Sequence, residues 1–204
     1  MKNILWIILI IGLILIIGIV LFNFNTNNNN NSSYTTQKSS TQTNTTKEPK
    51  IIEKEISTFT TLIHSKDEER QNNINITVSS LNDTVVNASE TFSFCDTVGK
   101  ATSDKGYEKA DVYVKGKLVK ALGGGNCQVS TTLYNAVLQV PELEVTERHE
   151  HSGNVPYIED GKDAAVSYGS YDLKFINHLN NSIKIKAENN ENEIIVKIVE
   201  LEKE

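Results

Sequence analysis

An uncharged apolar run near the N-terminus constrains this chain more than any other feature. Residues 4–22 are 19 consecutive apolar side chains and glycines. As a helix, the run would span about 28 Å, close to the hydrocarbon thickness of a bilayer. A cleaved signal peptide would have a shorter apolar region ending at a small-x-small site, and no Ala-x-Ala follows Phe22. The sequence therefore predicts a transmembrane helix within residues 1–22.

Charge predicts the orientation of that helix. Lys2 and the amino terminus are the positive charges that precede the apolar run, which favours a cytoplasmic N-terminus and an extracytoplasmic body at the cell membrane. Residues 23–50 are dominated by Asn, Ser, Thr and Gln, with a single tyrosine. Such a segment cannot bury enough apolar surface to fold. We expect it to be a disordered tether with an r.m.s. reach near 30 Å, joining the membrane to a domain at residues 51–204.

The composition of this domain excludes several classes of protein. Residues 51–204 carry 16 Lys and Arg against 25 Asp and Glu, and an acidic balance argues against a nucleic-acid partner. The chain has two cysteines, too few for a disulfide-rich scaffold or a four-thiolate zinc site.

The order of hydrophobic patterns predicts an α+β domain. Residues 128–138 have the apolar spacing of a helix. Residues 67–75 are compatible with the start of another helix, whereas residues 74–81 fit either a helix or a strand. A hairpin is predicted at 110–119, and strands at residues 51–61, 90–94, 164–168, 173–177, 182–187 and 193–201. We expect a central helix after a glycine-rich loop, packed on an antiparallel sheet.

The glycine-rich loop ends at a cysteine. Gly123-Gly124-Gly125-Asn126 leads into Cys127 at the predicted helix start, where the helix dipole stabilises a thiolate. Unpaired N–H groups at a helix start can also bind an oxyanion. The pattern is typical of a nucleophilic thiol. The candidate substrate or oxyanion residues around it are Gly123, Gly124, Gly125, Asn126, Gln128, Ser130, Thr131 and Arg148.

Histidines and aspartates follow Cys127 in the order used by a thiol, a base and an orienting carboxylate. His149 and His151 come first, and Asp163 and Asp172 lie on the next predicted strands. Spacing alone leaves open which of these side chains meet Cys127.

Three alternatives use the same residues. His149 and His151 would share one face of an extended segment and, with Cys127, could ligate zinc. Cys95 could pair with Cys127 as a disulfide outside the cell. Cys127 could also be a small buried side chain in a tight turn of a non-catalytic binding module.

Between about residues 70 and 187 the chain carries an ordered set of motifs. They are Glu90-Thr91-Phe92-Ser93-Phe94, Val98-Gly99, Gly106-Tyr107-x-x-Ala110, the run from Gly123 to Ala136, Glu147-Arg148-x-x-His151-Ser152, Tyr157, Gly161-x-Asp163-Ala164-x-Val166 and Asp172-Leu173-x-Phe175-x-Asn177. This set resembles the VanW domain family, named from a gene cluster linked to vancomycin resistance. The chain departs from the family at Cys95, where Asn is usual.

The resemblance implies a chemistry, because some VanW proteins act as L,D-transpeptidases through a catalytic cysteine. It implies Cys127 as nucleophile, His151 as base with His149 as the substitute, and Asp163 or Asp172 as orienter. The implied substrates are peptidoglycan stem peptides, with no metal and no cofactor. The order of loop, helix, His and Asp is also similar to transglutaminase-like and papain-like enzymes, at the level of fold alone. A module that binds wall peptide or a glycopeptide without catalysis is the alternative.

Overall fold

The computed structural model describes residues 50–114 and 117–204, which belong to one compact unit. The predicted transmembrane helix, almost all of the tether and the turn of the predicted hairpin lie outside these residues. No helix among the described residues is long and apolar enough to cross a membrane.

The described residues form three α-helices, a short 3-10 helix (Ser103–Lys105) and nine strands, and every strand pairing is antiparallel. The helices are α1 (Glu68–Leu81), α2 (Phe94–Val98) and α3 (Asn126–Val137). The strands are β1 (Ile51–Leu62), β2 (Thr84–Val86), β3 (Thr91–Ser93), β4 (Lys109–Val114), β5 (Lys117–Leu122), β6 (Leu143–Glu147), β7 (Lys174–Asn177), β8 (Ile183–Asn189) and β9 (Glu193–Lys203).

These strands form three sheets, with the orders β1-β9-β8-β2, β3-β7-β6 and β4-β5. The predicted α+β class, with antiparallel sheets, is confirmed. The sequence did not predict the division into three separate sheets.

The central helix α3 packs on the four-stranded sheet, against β1 and β9. Two hydroxyl groups fix it there, because Ser57 Oγ donates to the Ala136 carbonyl at 2.8 Å and Thr61 bonds to Thr132 at 2.8 Å. The apolar face predicted for this helix is buried at every position, namely Val129, Thr132, Leu133, Ala136 and Val137. These bonds hold the middle and the C-terminal end of α3 against β1.

Helix α1 includes the stretch whose pattern was ambiguous. Asp67 caps it, accepting a hydrogen bond from the Arg70 N–H at 3.1 Å. Ile74, Val78 and Leu81 are buried at helical spacing. Because a cap satisfies an otherwise unpaired donor and the apolar stripe faces the core, the helical form is favoured over a strand.

The strand predicted at residues 164–168 is wrong. This segment makes an isolated bridge, from Ser167 to Tyr171. Its backbone is bonded instead to α3 and to a neighbouring loop: Ser130 Oγ donates to the Ala164 carbonyl at 2.6 Å, and the Ala165 N–H donates to the His149 carbonyl at 2.8 Å. We call residues 163–166 the clamped segment.

Candidate active site

The glycine-rich loop places Cys127 in the first turn of α3. Gly125 has φ +118, and a Cβ there would lie 2.7 Å from Ile74 Cγ1. A Cβ on Gly124 would lie 2.8 Å from the Asp111 carbonyl. Asn73 holds the loop from α1, donating to the Gly124 carbonyl at 3.1 Å. The loop therefore needs glycine, because it is pressed between α1 and β4.

The Cys127 sulfur lies beside the clamped segment. The Val166 N–H donates to Sγ over 3.5 Å, and Sγ is 3.5 Å from the Val166 carbonyl. Within the described residues, no backbone oxygen accepts the Cys127 N–H, whereas the N–H of Gln128 donates to the Gly125 carbonyl at 3.0 Å. The Cys127 N–H is thus a backbone donor available to an oxyanion, whereas the Gln128 N–H is engaged inside the turn.

His151 joins this sulfur to a carboxylate. Its imidazole lies on the same cavity wall as Cys127 and interacts with that side chain, which raises the pKa of His151. Its Nδ1 lies 2.5 Å from Asp163 Oδ2, with both side chains 9% exposed. The backbone N–H of His151 donates to the same oxygen at 2.7 Å. This leaves Nε2 as the ring nitrogen for the sulfur, in a row of thiol, imidazole and carboxylate.

The charges of this row oppose the effect of burial. Burial by itself lowers the pKa of His151, but the Cys127 and Asp163 side chains outweigh it and raise that pKa above the usual value. Burial raises the pKa of Asp163, but its hydrogen bonds to His151 and the imidazole charge outweigh it and lower that pKa. Both partners therefore favour a protonated imidazole beside an ionised carboxylate.

Arg148 binds Asp163 at the carboxylate oxygen that His151 does not contact. Its Nη2 donates to Asp163 Oδ1 at 3.0 Å, and its Nε donates to the Asp163 carbonyl at 2.6 Å. A further bond from Nη2 reaches the Gly161 carbonyl at 2.9 Å, and the guanidinium lies 5.4 Å from the centre of the Tyr134 ring. Arg148 is thus placed to orient Asp163 rather than to contact a substrate.

The other predicted base and orienter lie elsewhere. Asp172 accepts from Ser93 Oγ at 2.6 Å and from the Cys95 N–H at 2.8 Å, at the start of α2. His149 lies 3.0 Å from Glu147 Oε1 and stacks on Tyr171. The structure brings together Cys127, His151 and Asp163 and leaves the other two acid–base candidates outside this row.

Ser130 and Thr131 are buried components of the scaffold. Both are 0% exposed. Ser130 bonds to the Ala164 carbonyl, and Thr131 Oγ1 accepts from the Ala164 N–H at 2.9 Å. Their hydroxyls therefore fasten the clamped segment to α3, and the structure does not place them against a substrate.

A cavity of about 640 Å³ opens beside the sulfur. Its walls come from α1, α2, the β4–β5 hairpin, the start of α3 and the loop at residues 155–168. Of the candidate residues, those on its wall are Gly123, Gly125, Asn126, Cys127, Gln128 and His151. The cavity has the size of a site for a small ligand or a short peptide segment.

Comparison with known proteins agrees with the motifs. A family model described as "VanW like protein" matches residues 69–199. The chain belongs to the VanW family. The resemblance inferred from the sequence is thereby confirmed.

Two curated relatives match this VanW domain. "Uncharacterized protein YoaR" of Bacillus subtilis (strain 168) is 40% identical over 137 residues, which is 67% of this chain and 45% of that protein. "Vancomycin B-type resistance protein VanW" of Enterococcus faecalis (strain ATCC 700802 / V583) is 34% identical over 111 residues, 52% of this chain and 40% of that protein. The chain thus spans less than half the length of these relatives. No solved structure matches it significantly.

Neither alternative use of Cys127 finds its partners in the VanW domain. Cys95 and Cys127 are both free thiols, so the disulfide considered as an alternative does not form between them. Burial raises the pKa of Cys95 to about 12, with the Asp172 carboxylate adding to the effect. In residues 50–114 and 117–204, no three His, Cys, Asp or Glu side chains are placed to hold a metal ion.

Sequence reasoning assigned no role to Arg70 and Tyr157, two polar residues of the cavity wall. Burial and the nearby Cys127 charge raise the pKa of Tyr157. Tyr157 is one of the motif residues of the family, but the motif by itself does not indicate what the side chain does. For Arg70 the sequence offered no signal, because its function depends on which elements α1 packs against.

Proposed function

We propose that this VanW protein transfers acyl groups between peptidoglycan stem peptides, with Cys127 as the nucleophile. The observation that carries the proposal is the row of Cys127, His151 and Asp163 at the wall of a cavity. The relative described as a vancomycin resistance protein supports a role in the cell wall. The finer assignment, L,D-transpeptidation or trimming, rests on the chemistry of the row and on what the family resemblance implies.

The first transfer forms a thioester. The Cys127 thiolate attacks the carbonyl carbon of a stem-peptide amide, and the Cys127 N–H stabilises the resulting oxyanion. Tyr157, which keeps its proton because burial and the Cys127 charge raise its pKa, is a second donor on the same wall. The C–N bond then breaks as His151 passes its proton to the leaving amine.

The second transfer releases the enzyme. The amine of another stem peptide, or water, attacks the thioester, and His151 takes up the proton that the nucleophile loses. The C–S bond breaks and the thiolate returns beside the protonated imidazole. An amine acceptor gives a cross-link and water gives a trimmed stem, so the acceptor determines the product.

The proposed location follows from the N-terminal residues. A membrane span at residues 4–22 and a tether to residue 50 would hold the domain at the outer surface of the cell membrane. A tether of this length allows the domain to reach wall peptides near the membrane.

The test uses the full chain in detergent micelles with purified muropeptides and mass spectrometry. We expect cross-linked dimers or trimmed stems, with none formed by Cys127→Ala. Cys95→Ala is the matched control, because Cys95 also lines the cavity but its thiol bonds to the Tyr171 carbonyl at 3.4 Å. It should retain activity.

Products from Cys127→Ala would contradict the proposal. An inactive wild-type chain that binds the muropeptides would favour the non-catalytic binding module instead.

A further inference from the structure

The cavity differs in charge from the domain that contains it. The domain as a whole is acidic. The described cavity wall, by contrast, carries two cationic side chains, Arg70 and Lys100, and one carboxylate, Asp111. That carboxylate pairs with Lys120 at 3.3 Å. The cavity therefore favours an anionic group in its ligand.

Arg70 is the cation best placed to bind such a group. It is half-buried, and its Nη2 donates to Gln128 Oε1 at 2.8 Å. Gln128 is 2% exposed and donates to the Leu62 carbonyl at 3.0 Å, so it holds the guanidinium in place. The bond fixes the direction of Arg70 without neutralising its charge.

No carboxylate of the described residues forms an ion pair with Arg70. The chain's other arginine, Arg148, pairs with Asp163 and Glu150. Asp67, the N-cap residue of α1, forms an ion pair with Lys120 instead, with 2.7 Å between Oδ2 and Nζ. A planar guanidinium with remaining donors, fixed in a partly desolvated wall, suits a carboxylate.

The position of Arg70 indicates which carboxylate it holds. Arg70 bonds to the residue that follows Cys127, and both Arg70 and Cys127 act electrostatically on the Tyr157 hydroxyl. Consecutive Cα atoms of a peptide lie about 3.8 Å apart. Arg70 and Cys127 line the same cavity, so the carboxylate nearest the attacked amide, on the residue directly after it, is the one that best suits this guanidinium.

We infer that Arg70 binds the free C-terminal carboxylate of the acyl donor, so that the enzyme cleaves the last peptide bond of a stem. This inference rests on the proposed function. It makes Arg70 a specificity-determining residue: donors extended or capped beyond the leaving residue are poor substrates.

The test compares two donors that differ at one group. One is L-Ala-γ-D-Glu-meso-diaminopimelate-D-Ala, and the other is the same peptide with a C-terminal amide. The full chain in detergent micelles is assayed for release of the last residue. We expect wild type to prefer the free acid by about 10- to 100-fold in kcat/KM, the value of a charge-assisted hydrogen bond.

Variants connect that preference to Arg70. Arg70→Met should turn over both donors at the low rate that wild type shows with the amide donor. Arg70→Lys should retain part of the preference for the free acid. Lys54→Met removes an exposed positive charge that pairs with Glu202, and it should keep the full preference. A thermal melt of each variant checks folding, and the comparison of donors on wild type needs no variant.

A binding measurement separates this inference from the proposed function. The affinity of Cys127→Ala for both peptides is measured by calorimetry, with and without Arg70→Met. Tighter binding of the acid that depends on Arg70 would support the inference even if no donor is turned over. Equal treatment of acid and amide, a preference that survives Arg70→Met, or no binding and no turnover would overturn it.

Discussion

His151 is the residue on which the proposed chemistry depends, because it binds the Asp163 carboxylate and interacts with the Cys127 side chain. Asp163 binds its Nδ1 and its backbone N–H, which fixes both the tautomer and the orientation of the ring. Arg148 in turn fixes Asp163 from the side away from His151. His151 is thus held by Asp163, and Asp163 is held by Arg148.

Asp163→Asn should shift the pH dependence of turnover. Without the carboxylate charge, burial lowers the pKa of His151 and only Cys127 opposes it. Since the leaving amine needs the imidazolium proton, the fall in kcat/KM at high pH should begin at a lower pH than in wild type. We also expect kcat to fall by about 10²- to 10⁴-fold, measured by donor turnover across pH.

Asp172→Asn is the control for this shift, because Asp172 bonds to Ser93 and the backbone of α2. Its descending limb should stay at the wild-type pH. An unmoved limb in Asp163→Asn would show that Asp163 does not act through His151.

Arg148→Met should reduce both stability and activity. The substitution removes the hydrogen bonds that Arg148 donates to the carboxylate and to the carbonyl of Asp163. A buried carboxylate then lacks a partner, which should lower the free energy of unfolding by about 1–3 kcal/mol. The resulting displacement of Asp163 should reduce kcat/KM by about 10²-fold. Chemical unfolding and donor turnover measure the two effects.

Glu150→Gln is the control for this variant, because Glu150 is the other ionic partner of Arg148. The Glu150 side chain is 65% exposed. An exposed pair contributes little, so both quantities should remain near wild type. Equal losses in the two variants would argue against the positioning role of Arg148.

At the scale of elements, α3 could be predicted and α1 could not, for a reason visible in their patterns. Ile74, Ile76 and Val78 fit a strand, whereas Ile74, Val78 and Leu81 fit a helix. Packing of the second set into the core decides between the two periods. Residues 164–168 show the converse: their alternation indicates a strand, but α3 side chains distant in sequence bind their backbone.

Gly125→Ala should destabilise the element that carries Cys127. Its φ of +118 strains any residue with a Cβ, and that Cβ would lie 2.7 Å from Ile74 Cγ1. We expect the free energy of unfolding to fall by about 2–4 kcal/mol from strain and overpacking together, measured by urea denaturation.

Gly169→Ala isolates the cost of the backbone conformation. Gly169 has φ +82, and a Cβ on this residue would meet no other atom within 4 Å, so we expect a loss of about 1–2 kcal/mol. Similar losses at the two glycines would mean that the contact with α1 does not constrain the loop.

At the scale of the whole molecule, the sequence predicts the α+β class and the central helix, but not every element and not the site in full. Period-two runs and a central helix are local properties, and the α+β prediction follows from them. Which aspartate meets His151 depends on how the clamped segment packs against α3, and that packing involves residues far apart in the chain. The same holds for Arg70, which reaches the cavity only because α1 packs beside the loop before Cys127.

The N-terminal residues should determine where the molecule resides. Deleting residues 1–22 should move the protein from the membrane fraction to the soluble fraction of bacterial cells, because the predicted span is lost. Scrambling residues 26–45 preserves that span and should leave the protein in the membrane. Protease added outside spheroplasts should digest the domain of the intact chain. An intact mass lacking the first 22 residues would identify a cleaved signal peptide instead.

Trapping the acyl-enzyme tests the central claim most directly. Full-length protein is mixed with the tetrapeptide donor without an acceptor amine, quenched in acid, and measured by intact-protein mass spectrometry with peptide mapping. We predict an adduct equal to the donor less its last residue, attached to Cys127, slowed in His151→Ala and absent in Cys127→Ala. An adduct elsewhere, or product formation by a chain that never carries an adduct on Cys127, would contradict covalent catalysis by this thiol.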